Sequence, residues 1–243
     1  MHRFFVPPEW LRGESVSLEG PVAHQLARVL RAQPGQRIVL LDNSGLEYEV
    51  ELTRVAARTA EGRVLARRPG VPEPEVSVHL YQGALKGEKL DWVLQKGTEL
   101  GVRSFTITHC ARSVTREARL ARLERWRRIV TEAAEQCGRS RLPGLRSPLP
   151  LGQALAEAPG VKLLLWEAER ATGLADALAR HGGAAAFSLF TGPEGGFEEG
   201  EVEEARRSDA EVVTLGRRTL RAETASIVAT TLVLHHAGEL GGR

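Results

Sequence analysis

The sequence predicts an α/β protein, with a mostly parallel sheet covered by helices on both faces and a small β-barrel domain before it. Two observations predict this class. After residue 74, apolar β-type runs alternate with amphipathic helical patterns, as in sheets built from strand–helix–strand units. The first seventy residues instead alternate short β-type runs with turn signals. We therefore predict a barrel domain over 1–70 and an α/β domain over 71–243.

The N-terminal part is predicted to hold five strands and one helix. The helix spans about Pro21–Leu30, because proline suits a first helical position and Leu26, Val29 and Leu30 share one face. Asp42–Gly45 is typical of a hairpin turn. Pro69–Pro74 contains three prolines and is predicted to be a linker. The predicted strands are Arg3–Val6, Ser15–Leu18, Arg37–Leu41, Leu46–Val55 and Thr59–Ala66.

The C-terminal part is predicted to alternate strands and helices, apart from an irregular basic loop over Arg139–Pro150. The longest helix, about Arg116–Cys137, carries an apolar stripe on one face and arginines on the other. The predicted strands are Val76–Gln82, Ser104–His109, Val161–Trp166, Ala186–Phe190 and Glu211–Leu215. The other predicted helices are Glu88–Leu100, Leu174–Arg180, Glu198–Ser208 and Arg221–Ala237.

The last predicted helix is small or apolar on nearly every side from Ala225 to Leu234. A helix without a polar face must be buried all round, either in the core or against a second subunit. We therefore expect a homodimer with this helix at its interface.

The composition is that of a soluble globular protein, with 42% hydrophobic and 26% charged residues among 243. No apolar run approaches the length of a membrane span, and the start lacks the apolar stretch of a secretion signal. Two cysteines cannot build a disulfide framework. These observations favour a cytoplasmic location and no membrane partner.

The charge is unevenly distributed, although the net charge is only +2. Between Arg103 and Arg146 there are eleven arginines and four glutamates. Arginine can fork onto phosphates and stack on bases. The local excess indicates a nucleic-acid-binding face, and the alternative is a coding bias combined with solvated helix faces.

Two glycine-bearing turns follow neighbouring predicted strands, at Thr191–Phe197 and Leu215–Ala225. The first turn matches neither a phosphate-binding loop nor the dinucleotide fingerprint. The acidic helix that follows it would repel phosphate, so the pattern indicates a ligand without phosphates. Leu215 and Leu220 in the second turn offer apolar surface suited to an adenine ring. Plain structural roles remain open, with Thr224 as a capping residue and Glu223 as a first-turn carboxylate.

Several tracts resemble one known family when they are taken in order. They are His24–Arg31, Lys86–Lys89, Gln95–Val102, Arg125–Trp126, Glu132–Arg139 and the two glycine-bearing turns. In these tracts the chain resembles the bacterial small-subunit rRNA uridine-N3 methyltransferases (the RsmE family), within the SPOUT class of knotted methyltransferases. The resemblance covers essentially the whole chain.

The resemblance implies a PUA-like RNA-binding barrel and a C-terminal sheet domain with a trefoil knot, which periodicity would not predict. It also implies S-adenosylmethionine as cofactor, a homodimer, and the 16S rRNA of an assembled small ribosomal subunit as substrate. The implied cofactor site comprises Leu165, Trp166, Glu167, Thr191, Gly192, Pro193, Glu194, Gly195, Gly196, Leu215, Gly216, Leu220, Arg221, Ala222, Thr224 and Ala225.

Methylation of uracil N3 requires loss of the N3 proton or stabilisation of the imide anion. Arg221 is our first candidate to stabilise the anion, and Arg218 is the second. Glu223 is a candidate proton acceptor or ribose anchor, unless it pairs with Arg221 and serves only the structure. The candidate RNA-binding residues are Arg3, Arg28, Arg31, Arg112, Arg116, Arg139 and Arg141, most of them expected to contact phosphates.

Other functions are less consistent with the sequence. A ribose 2′-O methyltransferase of the same class would carry asparagine- and serine-rich motifs that the turn Leu220–Ala225 lacks. A non-catalytic ribosome-binding factor would not need both glycine-bearing turns. Cys137 continues an apolar stripe and is expected to pack in the core rather than act as a nucleophile. No cysteine–histidine set has zinc spacing, so no metal site is predicted.

Overall fold

The structure, a computed structural model, describes residues 1–113 and 120–241. The chain divides into two compact units. The N-terminal unit comprises Met1–Glu73 together with Thr131–Leu142, and the C-terminal unit comprises Pro74–Val130 together with Pro143–Arg243. The inclusion of Thr131–Leu142 in the N-terminal unit is not predicted by the sequence.

The N-terminal unit is built on a five-stranded sheet in the order β1-β3-β4-β5-β2. Its elements are β1 (Arg3–Phe5), β2 (Ser15–Glu19), α1 (Gly20–His24), β3 (Arg37–Leu41), β4 (Leu46–Val55) and β5 (Thr59–Pro69). β1 pairs with β3 in parallel, and the other pairs are antiparallel. A π-helical turn at Gln25–Val29 continues α1, which agrees with the single predicted helix. Leu18, Leu26, Leu40 and Leu52 are fully buried in the core of this unit.

The hairpin turn between β3 and β4 confirms the prediction for Asp42–Gly45. The carboxylate of Asp42 accepts the N–H of Ser44 at 3.0 Å, as in an Asx turn. Asn43 and Gly45 have φ values of 65° and 93°, in the left-handed region that these two residue types tolerate.

The segment Thr131–Leu142 is tied to the N-terminal unit by polar contacts. A Glu135 carboxylate oxygen accepts the N–H of Phe5 at 2.9 Å, and the Asn43 side-chain oxygen accepts the N–H of Leu142 at 2.7 Å. Arg139 Nε donates to Glu73 at 3.1 Å. Burial raises the pKa of Glu135, and the hydrogen bond from Phe5 opposes that shift. This segment is thus part of the N-terminal unit rather than a free connection.

The C-terminal unit contains a parallel six-stranded sheet in the order β11-β9-β10-β6-β7-β8. Its strands are β6 (Ser77–Gly83), β7 (Ser104–His109), β8 (Gly144–Pro150), β9 (Val161–Leu165), β10 (Ala186–Thr191) and β11 (Ala210–Val213). Its helices are α2 (Lys89–Leu100), α3 (Leu120–Cys137, which continues into the N-terminal unit), α4 (Leu151–Glu157), α5 (Leu174–Arg180), α6 (Glu199–Arg207) and α7 (Ala222–His236).

Helices cover both faces of this sheet, as predicted. On one face, Leu163 and Leu189 pack with apolar residues of α2, α3, α5 and α7. On the other face, Leu164 and Phe190 pack with residues of α4 and α6. Successive strand residues therefore point to opposite buried layers, which explains why the strands are almost continuously apolar. In the described residues, no helix is both long enough and apolar enough to cross a bilayer.

The prediction of an irregular loop over Arg139–Pro150 is wrong for the second half of this range. Residues Gly144–Pro150 form β8, which pairs in parallel with β7, and α4 follows directly. Pro148 and Pro150 obscure this strand in the sequence, but proline is tolerated on an edge strand such as β8. The predicted linker also differs, because β5 extends to Pro69 and Val71 forms a parallel bridge with Arg139.

Candidate active site

The two glycine-bearing turns lie at one edge of the parallel sheet, where β9, β10 and β11 are neighbours. We call Thr191–Gly196, at the end of β10, the first turn, and Leu215–Ala225, which follows β11 and includes the first residues of α7, the second turn. Leu165–Glu167 follows β9 at the same edge. Ligands of open α/β sheets bind outside the carboxyl ends of the strands, so this edge is the expected place for a site.

A buried polar network supports the first turn from below. The side-chain oxygen of Gln82 in β6 accepts the hydroxyl of Thr191 at 3.0 Å, and its amide nitrogen donates to the carbonyl of Gly192 at 3.2 Å. The Ser226 hydroxyl lies 2.9 Å from that of Thr191 and also contacts Gln82. All three side chains are fully buried or nearly so. A satisfied network of this kind fixes α7 and the first turn relative to the sheet.

The connection from β6 to α2 holds the first turn from one side. A carboxylate oxygen of Glu194 accepts the backbone N–H of Lys86 at 2.9 Å and the ammonium of Lys89 at 3.1 Å. Partial burial of Glu194 opposes its ionisation, but these hydrogen bonds outweigh it and hold the pKa below its ordinary value. Gly83 allows the close approach, because a Cβ there would lie 2.7 Å from the carbonyl carbon of Gly192. The sequence did not identify Gly83 or Gln82 as supports.

Glycine is required at two further positions for backbone reasons. Gly196 has φ of 70°, and a side chain there would overlap the carboxylate of Glu167. Gly216 in the second turn has φ of 109°. Both values lie in the region that side chains disfavour. Glu198 and Glu201 then form a capping box at the start of α6, which places the acidic residues at the positive end of the helix.

The two turns and the end of β9 surround one cavity of about 480 Å³. All the predicted cofactor-site residues line it except Gly195 and Thr224. These lining residues are Leu165, Trp166, Glu167, Thr191, Gly192, Pro193, Glu194, Gly196, Leu215, Gly216, Leu220, Arg221, Ala222 and Ala225. Lys89 and Thr214 also line it and were not predicted, although Lys89 belongs to a tract that carries the resemblance; Thr219, which also lines it, lies within the predicted second turn.

The three catalytic candidates lie around the same cavity. Arg218 and Arg221 are exposed, and Glu223 is half-buried. Oε2 of Glu223 is buried and has no hydrogen-bond partner, which is costly for a carboxylate unless a ligand completes it. No ion pair between Glu223 and Arg221 occurs in the described part of the chain. The structural alternative for Glu223 therefore has no support from a pairing with Arg221.

Neither cysteine lies among the residues of the cavity. Burial raises the pKa of Cys110 to about 12, so its thiol stays protonated at neutral pH. Cys137 is partly buried, and its sulfur lies 3.6 Å from the carbonyl of Ala134. Among residues 1–113 and 120–241, no group of histidine, cysteine and acidic residues could hold a metal ion.

The predicted RNA-binding arginines have different environments. Arg28, Arg31, Arg112 and Arg141 are exposed. Arg3 is largely buried and pairs with Glu47, which also pairs with Arg68. Arg139 is 7% exposed and pairs with Glu73 through two nitrogens. Arg116 lies outside the described residues.

Comparison with known proteins first gives the class of the chain. A family model described as an RNA methyltransferase domain matches residues 72–234, and one described as an RNA methyltransferase PUA domain matches residues 18–65. The fold and these matches define an RNA methyltransferase with a PUA domain.

Individual relatives narrow this class. The ribosomal RNA small subunit methyltransferase E of Synechocystis is 34% identical over 232 residues, which cover 94% of this chain and 75% of the relative. That of Bacillus subtilis is 29% identical and covers 100% of this chain and 99% of the relative. The chain therefore belongs to the ribosomal RNA small subunit methyltransferase E family, which confirms the resemblance.

Solved structures agree with this assignment. A ribosomal RNA small subunit methyltransferase E from Neisseria gonorrhoeae, bound to S-adenosyl methionine, is similar with a TM-score of 0.88 and 32% identity over 97% of both chains. A putative methyltransferase from Legionella pneumophila, in complex with the same cofactor, has a TM-score of 0.88 and 29% identity over 96% of both chains. The predicted α/β class with a PUA domain is confirmed, and the trefoil knot stays a prediction.

Proposed function

We propose that this protein uses S-adenosylmethionine to methylate N3 of a uridine in the 16S rRNA of the small ribosomal subunit. The observation that carries the proposal is the cavity between the two turns, with Arg218, Arg221 and an unpartnered oxygen of Glu223 around it. Membership of the small subunit methyltransferase E family supports the choice of substrate. We place the reaction in the cytoplasm, where small subunits are assembled.

The cavity fits S-adenosylmethionine in size and chemistry. Its volume of about 480 Å³ falls within the range of small-molecule sites. Leu165, Leu215 and Leu220 supply apolar surface for a purine, and Glu167 supplies a carboxylate for hydroxyl or ammonium groups. The acidic start of α6 suits a donor without phosphates.

The residues of the cavity can carry out the proton and charge chemistry of the reaction. The donor supplies a methyl group on a sulfonium; the S–CH₃ bond breaks as the N3–CH₃ bond forms, leaving a neutral thioether. Arg221, with Arg218 beside it in the second turn, stabilises negative charge on the uracil oxygens. Glu223 accepts the N3 proton through its free oxygen. The cavity walls hold the two reactants in line, which can supply much of the rate.

Mapping of the methyl group tests this function directly. Small subunits that lack the modification are incubated with the protein and labelled donor, and the rRNA is digested and analysed by mass spectrometry. We expect the label on N3 of one uridine. Label on a ribose would indicate the 2′-O activity, and absence of label would contradict methyl transfer. In the absence of label, calorimetry with S-adenosylmethionine would distinguish a binding factor, which should produce no heat.

The role of Glu223 has its own test. Glu223→Gln should lower kcat about 100-fold at neutral pH, because the amide cannot accept a proton. The loss should shrink at higher pH, where uracil N3 ionises without help. A rise in KM with unchanged kcat would instead indicate a ribose anchor.

RNA binding is proposed for exposed arginines of the N-terminal unit. In the N-terminal unit, Arg28 and Arg31 follow α1 on the exposed side, near a cavity of about 240 Å³ that includes His2 and Gln36. Arg141 is exposed in the same unit. These charges would position phosphates rather than read bases. Arg3 and Arg139 are left out of this set because carboxylates already engage them.

We also propose a homodimer, as the resemblance implies. One side of α7 is buried, but Ile227, Val228 and Thr231 are only partly covered and Leu232 is 40% exposed. A second copy would cover this apolar side, which water otherwise contacts. Leu232→Glu should convert the dimer to monomer in sedimentation experiments. The matched variant Leu65→Glu, on an exposed leucine of the N-terminal unit, should leave the dimer intact; equal behaviour of the two variants would contradict this interface.

A further inference from the structure

Arg112 contacts the first turn on the side away from the cavity. It lies just after β7, and its Nη1 donates to the carbonyl of Gly195 at 2.8 Å. Its Nε lies 3.6 Å from a carboxylate oxygen of Glu198, which begins α6. A Cβ added to Gly195 would lie 3.1 Å from Cβ of Arg112, so the two residues pack closely.

The backbone around Arg112 is also fixed. The N–H of Ala111 donates to Oε1 of Glu201 at 2.8 Å, while Oε2 of Glu201 accepts the N–H of Glu198 at 2.9 Å. The hydroxyl of the buried Ser113 accepts the N–H of Cys110 at 3.0 Å. The backbone before Arg112 is thus held by hydrogen bonds, and its guanidinium reaches the carbonyl of Gly195 from there.

Gly195 and Arg112 do not line the cavity, whereas Gly192, Pro193, Glu194 and Gly196 do. A group that fixes Gly195 therefore acts on the donor only through the shape of the first turn. Lys86 and Lys89 hold the same turn through Glu194, the residue that precedes Gly195. The first turn is therefore held at Glu194 and at Gly195, and Arg112 makes the contact nearer to α6.

We infer that Arg112 is a positioning residue that sets the first turn for S-adenosylmethionine, rather than a phosphate-binding residue. The inference rests on the proposed function, since it assumes that this cavity holds the donor. It revises the sequence-based assignment of Arg112 to RNA, because a guanidinium committed to Gly195 and Glu198 is already engaged.

The test is a comparison of donor and RNA affinities in Arg112 variants. Arg112→Ala should weaken S-adenosylmethionine binding in calorimetry about fivefold, as expected for one exposed charge-assisted contact. KM for small subunits should stay within about twofold. Arg112→Lys should recover part of the donor affinity, because an ammonium can still reach one acceptor. Arg206→Ala is the matched control, because it removes ion pairs from α6 without touching the first turn.

A second variant approaches the same contact from the other side. Gly195→Ala adds a methyl group against Arg112 and not into the cavity, so it should also weaken donor binding severalfold. In the double variant Arg112→Ala/Gly195→Ala the methyl group no longer meets Cγ and Cδ of Arg112 and keeps only its contact with the Cβ of residue 112. The two losses of donor affinity should therefore be less than additive, and fully additive losses would contradict a shared mechanism.

The outcomes separate the inference from the proposed function. Wild-type protein that binds no S-adenosylmethionine would contradict the proposed function. Wild-type protein that binds the donor, with an Arg112→Ala variant of unchanged donor affinity and a raised KM for small subunits, would overturn the inference and return Arg112 to the RNA-binding set.

Discussion

The arginines around the cavity and those inside the N-terminal unit have the same chemistry but different surroundings. Arg218 and Arg221 are exposed, and in the described part of the chain neither forms an ion pair. Arg3 and Arg139 are mostly buried and each is paired with a carboxylate, Glu47 and Glu73 respectively. A free guanidinium and an unpartnered carboxylate oxygen that line one cavity are available to a ligand, whereas a buried pair is complete. Pairing, not residue type, therefore distinguishes the proposed catalytic arginines from the structural ones.

The largest expected effect is on the stability of the N-terminal unit. Arg139→Ala leaves the largely covered carboxylate of Glu73 without its arginine partner, which should lower the free energy of unfolding by about 3 kcal/mol. Urea denaturation checks this value. The exposed Arg141 is the control, since Arg141→Ala should change stability by about 0.5 kcal/mol or less. A stable Arg139→Ala protein with weakened RNA binding would erase the distinction between the two sets of arginines.

The next effect is on catalysis, without a stability change. Arg221→Ala should lower kcat about 100-fold, because it removes a charge that stabilises the imide anion. Its urea midpoint should match that of the wild type. Arg217 is the matched control, because it is exposed in the same turn and does not line the cavity. Equal loss of kcat in Arg217→Ala would mean that general charge, not position, governs the rate.

A smaller effect is expected for RNA binding by the N-terminal unit. Arg28→Ala and Arg31→Ala should each reduce the slope of log affinity against log salt by about 1, the value for one lost phosphate contact. Filter binding of small subunits over a salt series measures it. Arg12→Ala, another exposed arginine of this unit, should leave the slope unchanged. If the slope of log affinity against log salt is unchanged in all three variants, the RNA does not bind at Arg28 and Arg31.

The smallest expected effect is a dependence of the protein's stability on pH. Burial, helped by the charges of Arg103 and Arg146, lowers the pKa of His79 below 6.5. The imidazole of His79 therefore binds a proton more readily in the unfolded chain than in the folded chain. As a result, the free energy of unfolding has its full value above pH 6.5 and falls as the pH drops below 6.5. The urea midpoint should decrease between pH 7.5 and 5.5, and less so in His79→Gln. A larger decrease in the variant would contradict this sign.

The order of strands and helices could be predicted mainly where a pattern was continuous. The apolar runs of β9 and β10 and the stripe of α3 are long enough to be recognised. β8 was missed because Pro148 and Pro150 hide a strand that only its place at the sheet edge permits. The membership of Thr131–Leu142 in the N-terminal unit depends on contacts such as that of Glu135 with Phe5, 130 residues apart, which no local pattern records.

The two glycine-bearing turns were predicted from the sequence itself, because a left-handed φ, as at Gly216, favours glycine. The individual cofactor-site residues, including Leu165–Glu167 after β9, were instead implied by the family resemblance. Gln82 and Ser226 were missed, since a buried polar network depends on which strands become neighbours. For the same reason, the sequence did not indicate that Arg28 is exposed whereas Arg139 is buried and paired with Glu73. Their neighbours in space, not in sequence, decide whether a charge is free.

β8 also affects how the protein behaves before it has finished folding. Two of its seven residues are prolines, which have no amide N–H to donate, and β8 is the last strand of the sheet. A nascent or partly unfolded neighbour that tried to extend the sheet there would find gaps in the hydrogen-bond ladder. The same prolines that make β8 hard to recognise in the sequence thus disfavour the addition of a strand from another molecule at this edge, a step that leads to aggregation.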